Sequence, residues 1–170
     1  VFFLMRRRHP RSTLFPSTTL FRSEKVALNS KASLTERLRS VELLAHAVGE
    51  QSSATLEELL GPQTPQSIQN AAVESLSTRN KKTVSDMLIK HWRGFSPTVR
   101  QTVIEALSAR QDRTAILFAA IQKGKIRRAD ITLVKRQLLM NHPVDKVRNE
   151  ARKLFGKDVT TSRTKVVKSY

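Results

Sequence analysis

The sequence predicts an all-α chain, folded as a right-handed α-solenoid of about four helix pairs. Internal repetition is the first reason. Ala72-Val73-Glu74-Ser75-Leu76-Ser77-Thr78-Arg79 returns as Val103-Ile104-Glu105-Ala106-Leu107-Ser108-Ala109-Arg110, an offset of 31 residues from Ala72 to Val103. Glu, Leu, Ser and Arg recur in register, and self-similarity at such a period is the signature of stacked supersecondary units. Composition is the second: 39% hydrophobic but only 5% aromatic, with 5 Gly, where a β-sandwich would want more aromatics and turn glycines. The third is a recurring alternation of helix-starting and helix-stopping residues from position 33 to position 156.

The first predicted helix opens at Ser33-Leu34-Thr35-Glu36, a capping box in which the Ser hydroxyl accepts from a free backbone N–H and the Glu reaches back. Leu34, Leu38, Val41, Ala45 and Val48 follow at helical spacing, and Gly49 is placed to close the helix in a left-handed conformation. Thr55-Leu56-Glu57-Glu58 reads as a second box for a short helix ending at Gly61-Pro62. The third helix starts at Thr64-Pro65, with Ile68, Ala72 and Leu76 as its stripe; proline at the first helical position loses nothing, because that N–H is unpaired anyway. The fourth spans 83–93, with Val84, Met87, Leu88 and Trp92 on one side. The fifth starts at Ser96-Pro97 and repeats the third through Val99, Val103 and Leu107. The sixth is assigned an Asp112 cap, Ala115, Phe118 and Ala119 as apolar positions, and Gly124 as its end. The seventh is assigned an Asp130 cap and an Ile131, Val134, Leu138 stripe, stopping before Pro143. The eighth is assigned Asp145 as cap, Val147, Ala151 and Leu154 as stripe, and Gly156 as its end.

These helices are short and weakly apolar, so each pair must bury its stripe against neighbours. A pair length near 31 lies below the ~40–47 of typical HEAT repeats and near the ~34 of tetratricopeptide repeats. The tetratricopeptide Trp/Gly/Tyr pattern is missing, and the early Pro with an Arg beyond the helix end suits a short HEAT-like repeat. The organisation read from the sequence is a HEAT-like α-solenoid over 33–156. A linker at 24–32 precedes it, and a linker at 157–170 leads toward a further C-terminal domain.

Residues 1–23 stand apart. They carry five Arg and no acid, two prolines, and neither helical nor strand periodicity. Such composition imitates a transit peptide, and Arg6 to Arg8 imitate the start of a signal peptide, but no apolar stretch of adequate length follows. The string Arg11-Ser12-Thr13-Leu14-Phe15-Pro16, then Thr18-Thr19-Leu20-Phe21-Arg22-Ser23, closely resembles the conceptual translation of a sequencing adapter. The resemblance implies a non-native, disordered segment, outside fold and function.

Net charge is +17. Residues 24–78 hold four Lys/Arg against seven Asp/Glu, whereas residues 79–170 hold 22 against seven. A basic half is either a solvated surface or a docking surface for nucleic acid, anionic lipid or an acidic protein. The candidate surface is Lys123, Lys125, Arg127, Arg128, Lys135, Arg136, Arg148, Arg152 and Lys153. Arg148 and Arg152, four apart, share a helix face. Phosphate binding would show steep salt dependence, but no aromatic residues interleave with the charges to read bases.

Other chemistry finds little support. Cys is absent, which removes disulfides, thiolate zinc sites, a Cys nucleophile and covalent haem attachment within these residues. His9, His46, His91 and His142 are scattered, without a ligand-spaced partner. Glu74 and Glu105 occupy equivalent repeat positions, which argues for a structural role such as pairing with a neighbouring Arg. No carboxylate pair is set up for acid/base work, and no Gly-rich phosphate loop or nucleophile elbow occurs. Trp92, the single Trp, is expected in the core or between repeats. No apolar run approaches the roughly 20 residues of a membrane-spanning helix. The sequence therefore predicts no catalytic, cofactor-binding or metal-binding residue.

Residues 33–170 resemble the HEAT-repeat segment of large, exported, planctomycete-type haem-binding proteins. The resemblance rests on Val41-Glu42-Leu43-Leu44, on Val73-Glu74-Ser75-Leu76, and on Val147-Arg148-Asn149-Glu150-Ala151-Arg152-Lys153-Leu154-Phe155-Gly156 followed by Arg163, Val166-Val167 and Tyr170. In that family a propeller-like dehydrogenase-type domain precedes the repeats and a c-type cytochrome domain with a C-x-x-C-H motif follows them. The resemblance implies a non-catalytic scaffold or spacer in an exported or periplasmic redox protein. Haem c would belong to another domain of the parent chain, and the neighbouring domains would be the partners. The alternative is a stand-alone HEAT-like module that binds nucleic acid or an acidic protein through its basic C-terminal half.

Overall fold

A computed structural model describes residues 17–47, 49–80 and 82–167, and the side chains of 19–47, 49–80 and 82–156. The described residues are helical, with no strand among them: α1 Ser17–Leu28, α2 Leu34–Ala45, α3 Glu50–Glu58, α4 Gln66–Ser77, α5 Thr83–Lys90, α6 Pro97–Ser108, α7 Gln111–Gln122, α8 Leu133–Met140 and α9 Asp145–Val167. Two single 3-10 turns intervene, at Trp92–Gly94 and Arg128–Asp130. Several helices two apart in the chain pack on each other. The series α2, α4, α6 forms one row, while α1 meets α3, α5 meets α7, and α7 meets α9. Sequential contacts, among them α1 with α2, α6 with α7 and α8 with α9, join the two rows.

One apolar core runs between the rows. Val41 and Leu44 of α2, Ile68, Ala72, Val73 and Leu76 of α4, and Val99, Val103, Ile104 and Leu107 of α6 are all fully buried. The repeated positions Ile68/Val99, Ala72/Val103 and Leu76/Leu107 thus occupy equivalent core sites in the two helices. The far end is closed by Phe118 of α7 against Phe155 of α9, edge to face with ring centroids 6.5 Å apart.

The helix boundaries correct the sequence in instructive ways. The capping box of α2 forms as expected: Ser33 Oγ accepts from Glu36 N, and the Glu36 carboxylate accepts from Ser33 N. Thr55 caps nothing. It lies inside α3, where its hydroxyl donates to the Gln51 carbonyl, and α3 starts earlier, at Glu50 after the N-cap Gly49. Gly49 is not left-handed; its φ is 168°, ordinary extended backbone, and His46 ends α2. Thr64 also makes no cap. Pro65 stands immediately before α4, and its carbonyl accepts from Ile68 N and Gln69 N. The N-caps Pro65 and Ser96, and the C-caps Thr78 and Ala109, all lie 31 residues apart. The true structural register therefore matches the repeat offset and not the spacing of the two prolines.

Two expected Asp caps move. Asp112 lies in the first turn of α7, behind Arg110. Asp130 instead closes the 3-10 turn by accepting from Arg127 N, while Thr132 caps α8 through Lys135 N. That start turns the predicted α8 stripe outward. Ile131 is buried, but Val134 and Leu138 are 68% and 60% exposed, and Leu139 takes the core position. Leu34, at the first position of α2, and Ala115 of α7 also face solvent.

The chain is helical on both sides of position 24. Helix α1 covers 17–28, where a disordered segment and a linker were expected, because Ser23 and Ala27 bury against α2 and Arg37 Nε donates to the Ala27 carbonyl at 2.9 Å. At the other end α9 passes through Gly156 to Val167 instead of stopping at Gly156. Val48, Tyr170 and residues 1–16 lie outside the described residues.

Candidate anion-binding surface

The basic half does two different jobs. Among the described residues most of its arginines are tied to backbone carbonyls in turns and at helix ends. Such carbonyls lack a donor of their own helix, so a guanidinium fork can satisfy them; where the acceptor is in the last turn of a helix, as Met140 is for Arg152, the helix dipole adds to the attraction. Arg136 donates to the carbonyls of Ile131 (2.9 Å) and Arg128 (2.8 Å), and its guanidinium carbon lies 5.8 Å from the centre of the Phe155 ring. Arg148 donates to the His142 carbonyl at 2.9 Å and pairs with Asp145. Arg152 donates to the Met140 carbonyl at 3.2 Å. Arg127 is held by Asp130, which raises the guanidinium pKa above its ordinary value and lowers that of the carboxyl. Lys135 Nζ reaches Glu105 at 2.5 Å, so Glu105 does take a basic partner, a Lys from α8. Lys123, Lys125, Arg128 and Lys153 remain exposed to solvent.

The same carbonyl-binding role extends to arginines not predicted as site residues. Arg79, just beyond α4, bridges the end of α2 and the start of α3. Its guanidinium donates to the Leu44 carbonyl at 2.8 Å, to Ser52 Oγ at 3.1 Å, to the Gly49 carbonyl at 3.3 Å, and to Ser53 Oγ. Arg113, 2% exposed, reaches from α7 to the Ser77 carbonyl at 2.8 Å and to the Arg79 carbonyl. Burial lowers the pKa of both guanidiniums. The sequence places Arg79 at the end of the repeated octapeptide but does not assign it this role, and nothing in it singles out Arg113.

Among the described residues the histidines form no cluster. His46 is exposed at the end of α2, and His142 Nδ1 accepts from Val144 N at 3.1 Å. His91 Nε2 lies 3.6 Å from Glu57. Among the described residues no group of three His, Cys, Asp or Glu side chains could hold a metal ion, and no helix is long and apolar enough to cross a membrane.

Three of the open depressions among the described residues bear on this surface. One, of about 420 Å³, lies between α7 and the start of α9, with Asp112, Lys146 and Glu150 on its rim. A second, of about 560 Å³, runs between α4 and α6 past Glu74 and Glu105. A third, of about 300 Å³, is lined by Ile89, Lys90, Trp92, Arg93 and Lys125, and of the three it alone carries cations without a carboxylate. Only Lys125 of the predicted basic set lines it; Lys90 and Arg93 escaped notice because they come from a different helix pair.

Compared with protein-family models, curated proteins and solved structures, the chain finds no significant match.

Proposed function

We propose that this chain is a non-catalytic scaffold: a right-handed, HEAT-like α-solenoid of about four helix pairs whose work is to hold other surfaces in relation. The observation that carries this reading is the serial packing of α2, α4 and α6, helices one repeat apart, cross-linked by Arg79 and Arg113 donating to the carbonyl ends of an earlier unit. Quasi-one-dimensional packing of this kind suits a spacer, since each unit contacts its neighbours. The use of Arg136, Arg148 and Arg152 as carbonyl caps gives part of the positive charge a structural purpose. By its resemblance, the scaffold would sit in an exported haem-binding redox protein, with the haem in another domain.

Deleting residues 65–95, one repeat of 31 residues, tests the architecture. Helix α6 would then follow α3 with its own Ser96 cap, and Arg110 would fall where Arg79 now binds. A stacked array is expected to refold with proportionate helicity, a lower midpoint and a smaller denaturant m-value. Loss of cooperative unfolding would refute the stacked reading. Parentage is tested at the genomic locus around codons 24–170, where a C-x-x-C-H domain is expected downstream.

A further inference from the structure

The third depression has the chemistry of a ligand site. We propose that Lys90, Arg93 and Lys125 bind the phosphoryl group of a small phosphate monoester, whose apolar part rests on Ile89 beside the buried Trp92. The cations come from two elements, the end of α5 with its 3-10 turn and the turn after α7, and converge on one pocket of about 300 Å³. That volume lies at the low end of the roughly 300–1,000 Å³ of small-molecule sites, too small for a folded partner.

Both sides of the pocket are held in place. Arg100 donates from Nε to the Trp92 carbonyl and from Nη2 to the Arg93 carbonyl, each at 3.3 Å, and its guanidinium stacks over the Trp92 ring at 5.4 Å. On the other side Gly124, at φ 69°, permits a tight turn in which Lys125 N and Ile126 N both donate to the Ala120 carbonyl. Ile126, fully buried, anchors that turn.

The charges are largely uncommitted. Among the described residues the Arg93 guanidinium and the Lys125 ammonium have no carboxylate partner, and both residues are exposed. Lys90 donates one hydrogen bond to Glu57, at 2.9 Å, and keeps two N–H groups. Asp86 lies one turn earlier on α5, outside the lining. An Arg fork with two ammonium groups matches a dianionic phosphate, which accepts on three oxygens; a carboxylate offers two.

Isothermal titration of the full chain with phenyl phosphate tests the site, with inorganic phosphate, phenol and a 20-base-pair DNA duplex as parallel arms. Saturable 1:1 binding of phenyl phosphate, weaker binding of inorganic phosphate and none of phenol is expected. Arg93→Ala and Lys125→Ala should each weaken binding about tenfold, while Lys153→Ala, remote in sequence and absent from the pocket, leaves it unchanged. Circular dichroism checks that each variant keeps its helicity, and because the two residues lie on different elements, either variant alone decides the matter. Non-saturating heats, equal weakening by Lys153→Ala, or duplex binding without phenyl phosphate binding would overturn the assignment. None of these outcomes bears on the deletion experiment.

Discussion

Arg79 and Arg110 are the same residue of the repeat, 31 positions apart, yet the structure gives them unequal work. Arg79 ties together three helices: it extends from the end of α4 to the last carbonyls of α2 and the first turn of α3 through four hydrogen bonds. A hydrogen bond from a charged donor contributes roughly 1.5–3 kcal/mol net. The four are not additive, because Ser52 and Ser53 also donate to the Gly49 carbonyl and would keep those bonds. Burial of the guanidinium and an Nε without a partner subtract further. Arg79→Ala is therefore expected to cost about 2–4 kcal/mol, dominated by the lost bridge between helix ends, since the Leu44 carbonyl keeps its bond from Ala47 N at 3.1 Å. Arg110 makes only surface contacts, to Asn80 Oδ1 at 2.6 Å and Asp112 at 3.5 Å, and Arg110→Ala should cost about 0–1 kcal/mol. Urea unfolding followed at 222 nm measures both, with an unchanged m-value confirming that stability alone has moved. Arg79→Lys should recover less than half, since one ammonium cannot span both helix ends. Equal costs for the two Ala variants would refute the view that position in the stack, and not the repeat residue itself, sets the energetics.

Other expectations follow from the same contacts. Phe155→Ala removes a fully buried ring packed on Phe118 and beneath Arg136, and should cost about 3–5 kcal/mol, with faster amide exchange in α8 and α9 as the readout. Gly124→Ala should cost about 1–2 kcal/mol in thermal or urea unfolding, purely from the left-handed backbone, because a Cβ there would meet nothing within 4 Å. The Glu57 carboxyl is held below its ordinary value first by its hydrogen bond to Lys90, and the Asp130 carboxyl by its bond to Arg127. Depressed folded-state values mean stability that is present above the unfolded carboxyl value of about 4 and lost as pH falls through the folded value. Unfolding free energy should be flat from about pH 7 to 5 and fall below that, and Glu57→Gln should make the fall shallower; an unchanged slope would count against the Lys90 pair.

The helices themselves were legible because their causes are local. Ser33, Ser96 and the Ile68/Ala72/Leu76 stripe act within one or two turns of their own sequence, so capping and 3.6-residue periodicity locate them. Legibility failed at α8, where Val134 and Leu138 have a core pattern but face outward. Their orientation depends on the 3-10 turn that Arg127 and Asp130 impose, and on the core position that Leu139 takes. It failed again at Thr55, whose cap-like spacing is overridden because α3 already runs through it from Glu50.

By itself the sequence determined an all-helical chain, its repeat offset, its main apolar stripes and a surplus of positive charge in the second half. Only the tertiary structure decided what that charge does. Whether an Arg caps a distant carbonyl, pairs with a carboxylate or stands free depends on which helix end lies beside it. Arg113 meets Ser77 across 36 positions, and Lys125 meets Lys90 and Arg93 across a pocket. Those encounters follow from the packing of separate helices, α7 near α4 for Arg113 and α7 beside α5 for Lys125. Periodicity along a single helix does not encode them.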